Sequence, residues 1–115
     1  MKKRVADLQA HLPEAIAAYL AADEGDSEAF SRCFAEHAVV QDEGRTYSGL
    51  AAIKQWKMEA KKKYQYTINP LNVDRNGNKI VVTNRLTGNF PGSPVDLKFV
   101  FGLEDDLIVS LEIRP

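Results

Sequence analysis

Asp42 closes a short β-branched run, Ala38-Val39-Val40-Gln41-Asp42, whose composition reads as a strand. Alternate side chains on a strand share a face, so Ala38, Val40 and Asp42 point one way and Val39 and Gln41 the other. If the small apolar pair faces a core, the carboxylate turns inward with it, and desolvation raises its pKa. A base held in an apolar pocket suits proton abstraction. The competing reading makes Asp42 a turn residue, bonding backbone N–H groups of the following Glu43-Gly44. Asn84 is the second candidate, because it interrupts the apolar row Ile80, Val82, Leu86 and Phe90. A buried amide either bridges backbone groups, the favoured reading, or meets a ligand.

Other reactive residue types carry less. His11 and His37 have no spacing to a carboxylate pair, so no metal is expected. Cys33 falls on an apolar helical side and reads as a small filler. Glu104-Asp105-Asp106 suits a hairpin turn better than a calcium loop. Lys54, Lys57, Lys61, Lys62 and Lys63 make one helix basic; a solvated face with charges favourable near a helix C-terminus accounts for them. Interleaved aromatic platforms are lacking, so nucleic acid is not an expected partner. No cofactor is expected either.

These side chains must be carried by a single domain. The chain has 115 residues, 44% apolar and 27% charged, with a net charge of −1. Two domains of half that length would each be too small to stabilise themselves. The apolar share excludes a disordered tail, and the balanced charge excludes a global field that recruits nucleic acid or acidic membrane. One cysteine excludes a disulfide framework and a cysteine-based zinc cluster. No apolar run is long enough for a signal peptide or a membrane span, and the expected setting is cytoplasmic.

Periodicity divides the chain near Lys63, helical before it and alternating from Tyr64 onward. A helix is expected from Pro13, with Ile16, Tyr19, Leu20 and Asp23 at i, i+3, i+4 and i+7. Val5, Leu8 and Leu12 suggest a short helical turn before it. Gly25 ends the first helix and Asp26 caps a second, which presents Ala29, Phe30, Cys33 and Phe34. A third runs from about 49 to 63 and buries Leu50, Ile53, Trp56 and Ala60. Strands are expected at 38–42, 65–74, 78–90, 95–103 and 107–114. Asn76-Gly77 suits a type I′ turn, and Pro91-Gly92 and Glu104-Asp105-Asp106 mark the next reversals. Tight turns between consecutive strands require antiparallel pairing. Val95, Leu97, Phe99, Phe101 and Leu103 should face inward, as should Leu107, Val109, Leu111 and Ile113. The expected class is α+β, with three N-terminal helices against one face of a curved, mostly antiparallel sheet.

Three runs, Tyr19-Leu-Ala-Ala-Asp-Glu-Gly-Asp26, Phe34-Ala-Glu-His-Ala-Val-Val-Gln-Asp42 and Tyr47-Ser-Gly-Leu-Ala-Ala-Ile-Lys-Gln-Trp56, together resemble the nuclear transport factor 2-like superfamily. The SnoaL-like branch and ketosteroid isomerase are closest in style, over roughly 13–114. The resemblance implies a cone-shaped α+β barrel, its helices on the concave face, opening at one end onto an apolar pocket. It also implies a homodimer packed through the outer sheet face, where an Arg85 ion pair with Asp96 or Glu112 would cross subunits or stay exposed within one.

Function transfers less directly, because this fold hosts isomerases, dehydratases, cyclases, hydrolases, binding proteins and transport adaptors. Asp42 matches the isomerase's general base. Tyr19 lies near its oxyanion tyrosine, one residue closer to the Gly-Asp helix end. Leu97 stands where the isomerase has a protonated acid, and Lys57 replaces the supporting tyrosine. Steroid isomerisation is therefore not expected. The leading expectation is a homodimeric pocket protein for a small apolar metabolite. Asp42 would polarise or deprotonate the ligand, Val40, Trp56, Leu97 and Phe99 would line the cavity, and Tyr19 or Asn84 would orient it. Tyr47 is a further hydrogen-bonding candidate. The alternatives are a non-catalytic protein-interaction module and a cone filled by its own side chains.

Overall fold

The computed structural model describes residues 12–22 and 27–115. The elements are α1 (Glu14–Ala22), α2 (Ser27–Ser31), β1 (Phe34–Asp42), β2 (Arg45–Ser48), α3 (Leu50–Lys63), β3 (Tyr66–Asn76), β4 (Lys79–Gly88), β5 (Val95–Glu104) and β6 (Leu107–Arg114). Six strands make one curved sheet in the order β2-β1-β6-β5-β4-β3, unclosed, with the three helices packed on one face. Every neighbouring pair is antiparallel except β1 with β6. The α+β cone expected from the sequence is thus present. Among the described residues, no helix is long and apolar enough to cross a membrane.

Two-residue turns set three of the strand pairings. Glu43 and Gly44 have φ of 52° and 75°, and Asp105 and Asp106 have 53° and 64°. Each pair sits at the two central positions of a two-residue hairpin, as a type I′ turn requires. Between β3 and β4, Asn76 pairs with Lys79, so the central residues are Gly77-Asn78. Positive φ there falls on Gly77. The turn therefore lies one residue beyond the expected Asn76-Gly77.

Several local expectations are corrected. The helical face Ala29, Phe30, Cys33 and Phe34 is split, because α2 has five residues and Phe34 already opens β1. The Cys33 carbonyl accepts the Ile108 N–H at 2.8 Å, so that segment is drawn to the start of β6 instead of continuing a helix. His37 lies exposed within β1, not in a turn before it. Strand β2 was not foreseen: its Arg-Thr-Tyr-Ser has no inward apolar row, and only pairing with β1 defines it. Val5, Leu8, His11, Gly25 and Asp26 lie outside the described residues.

Bulges explain the remaining differences. Gly102 pairs with Ser110 but Leu103 with Ile108, which leaves Val109 unmatched on β6. One extra residue reverses the facing of everything before it. Ile108, expected outside, is consequently buried at 0% exposure, alongside Leu111 at 1%. On β3, Leu71 is the extra residue between Pro70 and Asn72 and is exposed. Pro70 donates nothing to the ladder, and the edge position of β3 accommodates it.

The core is aromatic and lies between the helices and the sheet. The Tyr19 ring sits 5.3 Å from Phe30 and 5.4 Å from Phe101, centroid to centroid, with Phe34 and Phe99 also in contact. Each such ring contributes roughly 1.5–3 kcal/mol by burial. Rows across the sheet then define depth. Val40, Leu111, Phe101 and Ile80 form one cross-strand row by direct pairing. Asp42, Ile113, Phe99 and Val82 lie two residues further along the same strands on the same face, and Leu97 and Asn84 two further again.

Candidate functional site

Asp42 ends β1 where Glu43-Gly44 turns the chain, so its side chain keeps the inward facing of Ala38 and Val40 while standing at the limit of the core. Ala38 and Val40 are fully buried and Asp42 is half-buried. Its Oδ2 accepts the indole Nε1–H of Trp56 at 3.0 Å. Burial pushes the Asp42 carboxyl above the usual carboxylate range; the Trp56 hydrogen bond pulls the other way, the Glu43 carboxylate raises it further, and the Glu43 backbone amide lowers it. Desolvation is the largest of these causes.

An open hollow of about 600 Å³ lies beside it, lined by Asp42, Leu97 and Ile113 together with the polar or charged Gln41, Arg45, Glu112 and Arg114. Leu97 and Asp42 therefore line the same hollow. Val40, Phe99 and Trp56, also expected to line a cavity, are 0%, 2% and 6% exposed and pack in the core behind it. Tyr47 is half-buried, its ring 6.1 Å from that of Trp56.

Two polar groups are enclosed without a partner. Tyr19 and Asn84 are both 0% exposed, and neither the Tyr19 hydroxyl nor either amide atom of Asn84 has a hydrogen-bond partner in the structure. Leaving such a group unpaired costs about 1–3 kcal/mol. Burial drives the Tyr19 hydroxyl pKa well above its ordinary value, with Tyr66, Asp42 and Cys33 adding in that order.

Lys57 departs from the solvated face expected of the basic helix, because its side chain is buried. It is 9% exposed. Its Nζ donates to the Tyr66 hydroxyl at 3.2 Å and lies 5.3 Å from the Trp56 ring, 5.5 Å from those of Tyr19 and Phe30, and 5.6 Å from that of Tyr66. Desolvation, reinforced by the neighbouring charge of Lys61, lowers the Lys57 ammonium to about 7. Tyr66, half-buried at the start of β3, is pushed up to about 12 by burial and by Asp42. Lys61 stands over its ring at 4.0 Å. The signal for Lys57 was present in the spacing, since Ile53, Trp56, Lys57 and Ala60 occupy i, i+3, i+4 and i+7 of one stripe. Tyr66 had no such signal.

Gly88 permits this arrangement. A Cβ there would collide with the Gln65 carbonyl and lie 2.8 Å from the Tyr66 Cβ. Among the described residues, no three His, Cys, Asp or Glu side chains are grouped to hold a metal. Arg85 and Asp96 form a bidentate pair within one chain, at 2.8 and 3.1 Å, on the exposed sheet face.

The SnoaL-like domain family profile matches residues 14–111. The chain belongs to that family. A candidate polyketide cyclase from Sinorhizobium meliloti is 40% identical, with a TM-score of 0.89 over 92% of this chain and 98% of the other. A Catenulispora acidiphila protein with a ketosteroid isomerase-like fold, crystallised with trimethylamine, is 21% identical, with a TM-score of 0.76 over 90% of this chain and 85% of that one. A candidate ketosteroid isomerase from Kribbella flavida is 14% identical, with a TM-score of 0.76 over 90% and 76%. The latter two share the fold. No curated protein matches the chain.

Proposed function

We propose that this protein binds a small, largely apolar carbonyl metabolite in the hollow beside Asp42 and performs cofactor-free acid–base chemistry on it. The observation that carries the reading is a half-buried carboxylate, hydrogen-bonded by Trp56 at 3.0 Å and lining an open hollow together with Leu97 and Ile113. The indole fixes the direction of Oδ2, and partial desolvation strengthens the carboxylate as a base. Removal of a proton from carbon, leading to isomerisation, dehydration or cyclisation, is the reaction class. The 40% identical candidate cyclase supports it. Val40, Phe99 and Trp56 back the site, and Tyr19 and Asn84 are the polar groups that would orient a ligand oxygen.

A metabolite screen by thermal shift tests the reading. Ligands that raise the wild-type melting temperature should raise that of Asp42→Asn by a different amount. A screen in which no ligand stabilises the fold, or in which the substitution changes no response, removes Asp42 from the site.

The packed core, in which Tyr19, Val40 and Phe101 leave no exposed surface, supports the reading of a cone filled by its own side chains, and the incomplete catalytic set supports the protein-interaction reading. A reproducible protein partner from cell extract whose binding is insensitive to Asp42→Asn would favour it. Homodimerisation through the outer sheet face and a cytoplasmic setting belong to the same proposal. Light scattering at micromolar concentration checks the first, since a mass of one chain contradicts it.

A further inference from the structure

The hairpin that carries Asp42 also carries a cation opposite it. Glu43 and Gly44, with φ of 52° and 75°, make a two-residue turn, so Asp42 and Arg45 are directly opposed across β1 and β2. Directly opposed residues of an antiparallel pair share one face, with Cβ atoms about 4.5–5.5 Å apart. Both residues line the open hollow of about 600 Å³, a size within the roughly 300–1,000 Å³ range of small-molecule sites. Asp42 would be the ordinary partner of an arginine so placed, yet the two form no ion pair, and Oδ2 of Asp42 accepts the Trp56 indole N–H instead. Arg45 is exposed and makes no ion pair among the described residues. Arg114 also lines the hollow, but it is paired with Glu112 at 3.8 Å. Glu43, in the turn itself, is the remaining carboxylate of the lining, and Leu97 and Ile113 supply apolar surface.

We propose that Arg45 is the anion-recognition residue of this site, and that the metabolite is a keto acid whose carboxylate Arg45 holds while its acidic C–H meets Asp42. This deepens the Asp42 reading and rests on it for the proton abstraction. A planar guanidinium gives a carboxylate two parallel hydrogen bonds, which fix the direction of the ligand as well as its position. The short separation of opposed strand residues suits a ligand whose carboxylate and acidic carbon are within a bond or two of each other. Without the guanidinium, the ligand's carboxylate and that of Asp42 would repel across the same space. Arg45 offsets that repulsion, so the ligand approaches a base that is still ionised. The apolar remainder of the ligand lies against Leu97 and Ile113.

The step balances without a co-reactant. The proton passes from carbon to Asp42, and the C–H electron pair moves through the new C=C bond onto the carbonyl oxygen as an enolate. The Asp42 carboxyl then returns a proton to carbon or to that oxygen.

The probes are phenylpyruvate and phenylacetone, which share a benzyl group and a ketone and differ in a carboxylate that replaces a methyl. Titration calorimetry of the full chain at low ionic strength should show phenylpyruvate binding at least ~10-fold more tightly. Arg45→Gln, checked for folding by circular dichroism, should bring phenylpyruvate to within ~2-fold of phenylacetone, and Arg45→Lys should restore part of the difference. Arg75→Gln removes the same charge from β3, at the other edge of the sheet, and should leave the preference intact. Equal affinity for the two probes overturns the proposal, as does no binding of phenylpyruvate. A preference that survives in folded Arg45→Gln, or falls equally in Arg75→Gln, overturns it too. Deuterium exchange at the benzylic carbon separates this outcome from the role of Asp42. Asp42-dependent exchange of phenylacetone with no carboxylate preference removes Arg45 and leaves the base. An Arg45-dependent preference with exchange unchanged in Asp42→Asn leaves the anion site and removes the base.

Discussion

The indole of Trp56, on α3, donates its N–H to Oδ2 of Asp42, at the end of β1, at 3.0 Å and across fourteen positions of sequence. This bond joins the helical layer to the strand that carries the acid. It also opposes the effect of burial on the same carboxyl.

Replacing Trp56 with Phe should therefore raise the Asp42 pKa further, because the desolvation remains and the compensating donor is gone. Carbon-detected NMR titration of the Asp42 carboxyl checks the direction. The smaller ring also leaves a cavity, with an expected cost of about 1–3 kcal/mol in urea unfolding.

The pH dependence of stability should carry the signature of Lys57. Its folded pKa, about 7, lies below the ordinary 10.5. Between these values the unfolded chain binds more protons, so stability rises with pH from about 7 towards 10.5. Below about 7 both states are charged and the burial penalty is fully present. Lys57→Met should flatten this rise. Thermal melts from pH 6 to 10 would show it. Asp42 works in the opposite sense and at lower pH: its raised pKa favours the fold in acid and is lost as pH climbs through the carboxylate range.

Most of the architecture was readable in the sequence, because alternating apolar residues and two-residue turns are local signals. The β5 facing of Leu97, Phe99 and Phe101 needed nothing else. Ile108 was not readable, since the bulge at Val109 is created by pairing with β5. Strand β2 likewise exists by pairing alone. At the site, the inward facing of Asp42 followed from alternation, and its contact with Trp56 did not. Lys57 was obscured by the lysines around it: charge suggested a solvated face, whereas the stripe shared with Ile53 and Trp56 gave its true orientation.

Asn84 offers a test that separates a binding role from a structural one. Its unpartnered amide should destabilise the fold, so Asn84→Leu should raise stability by about 1–3 kcal/mol in denaturant titration and weaken ligand binding. A loss of stability would mean the amide is satisfied within the folded protein.

Gly88→Ala should destabilise by roughly 1–3 kcal/mol, because the added methyl meets the Gln65 carbonyl and the Tyr66 backbone, neither of which can move freely. Tyr66 would be displaced, and its hydrogen bond from Lys57 Nζ would be lost with it.

Deuterium exchange at the α-carbons of phenylacetone, followed by proton NMR in wild type and Asp42→Asn, addresses the role of Asp42 without intermediaries. The wild-type protein should accelerate exchange over buffer, and the asparagine variant, once shown to be folded, should lose at least ~100-fold of that acceleration. Equal rates in the two folded proteins would contradict Asp42 as the base.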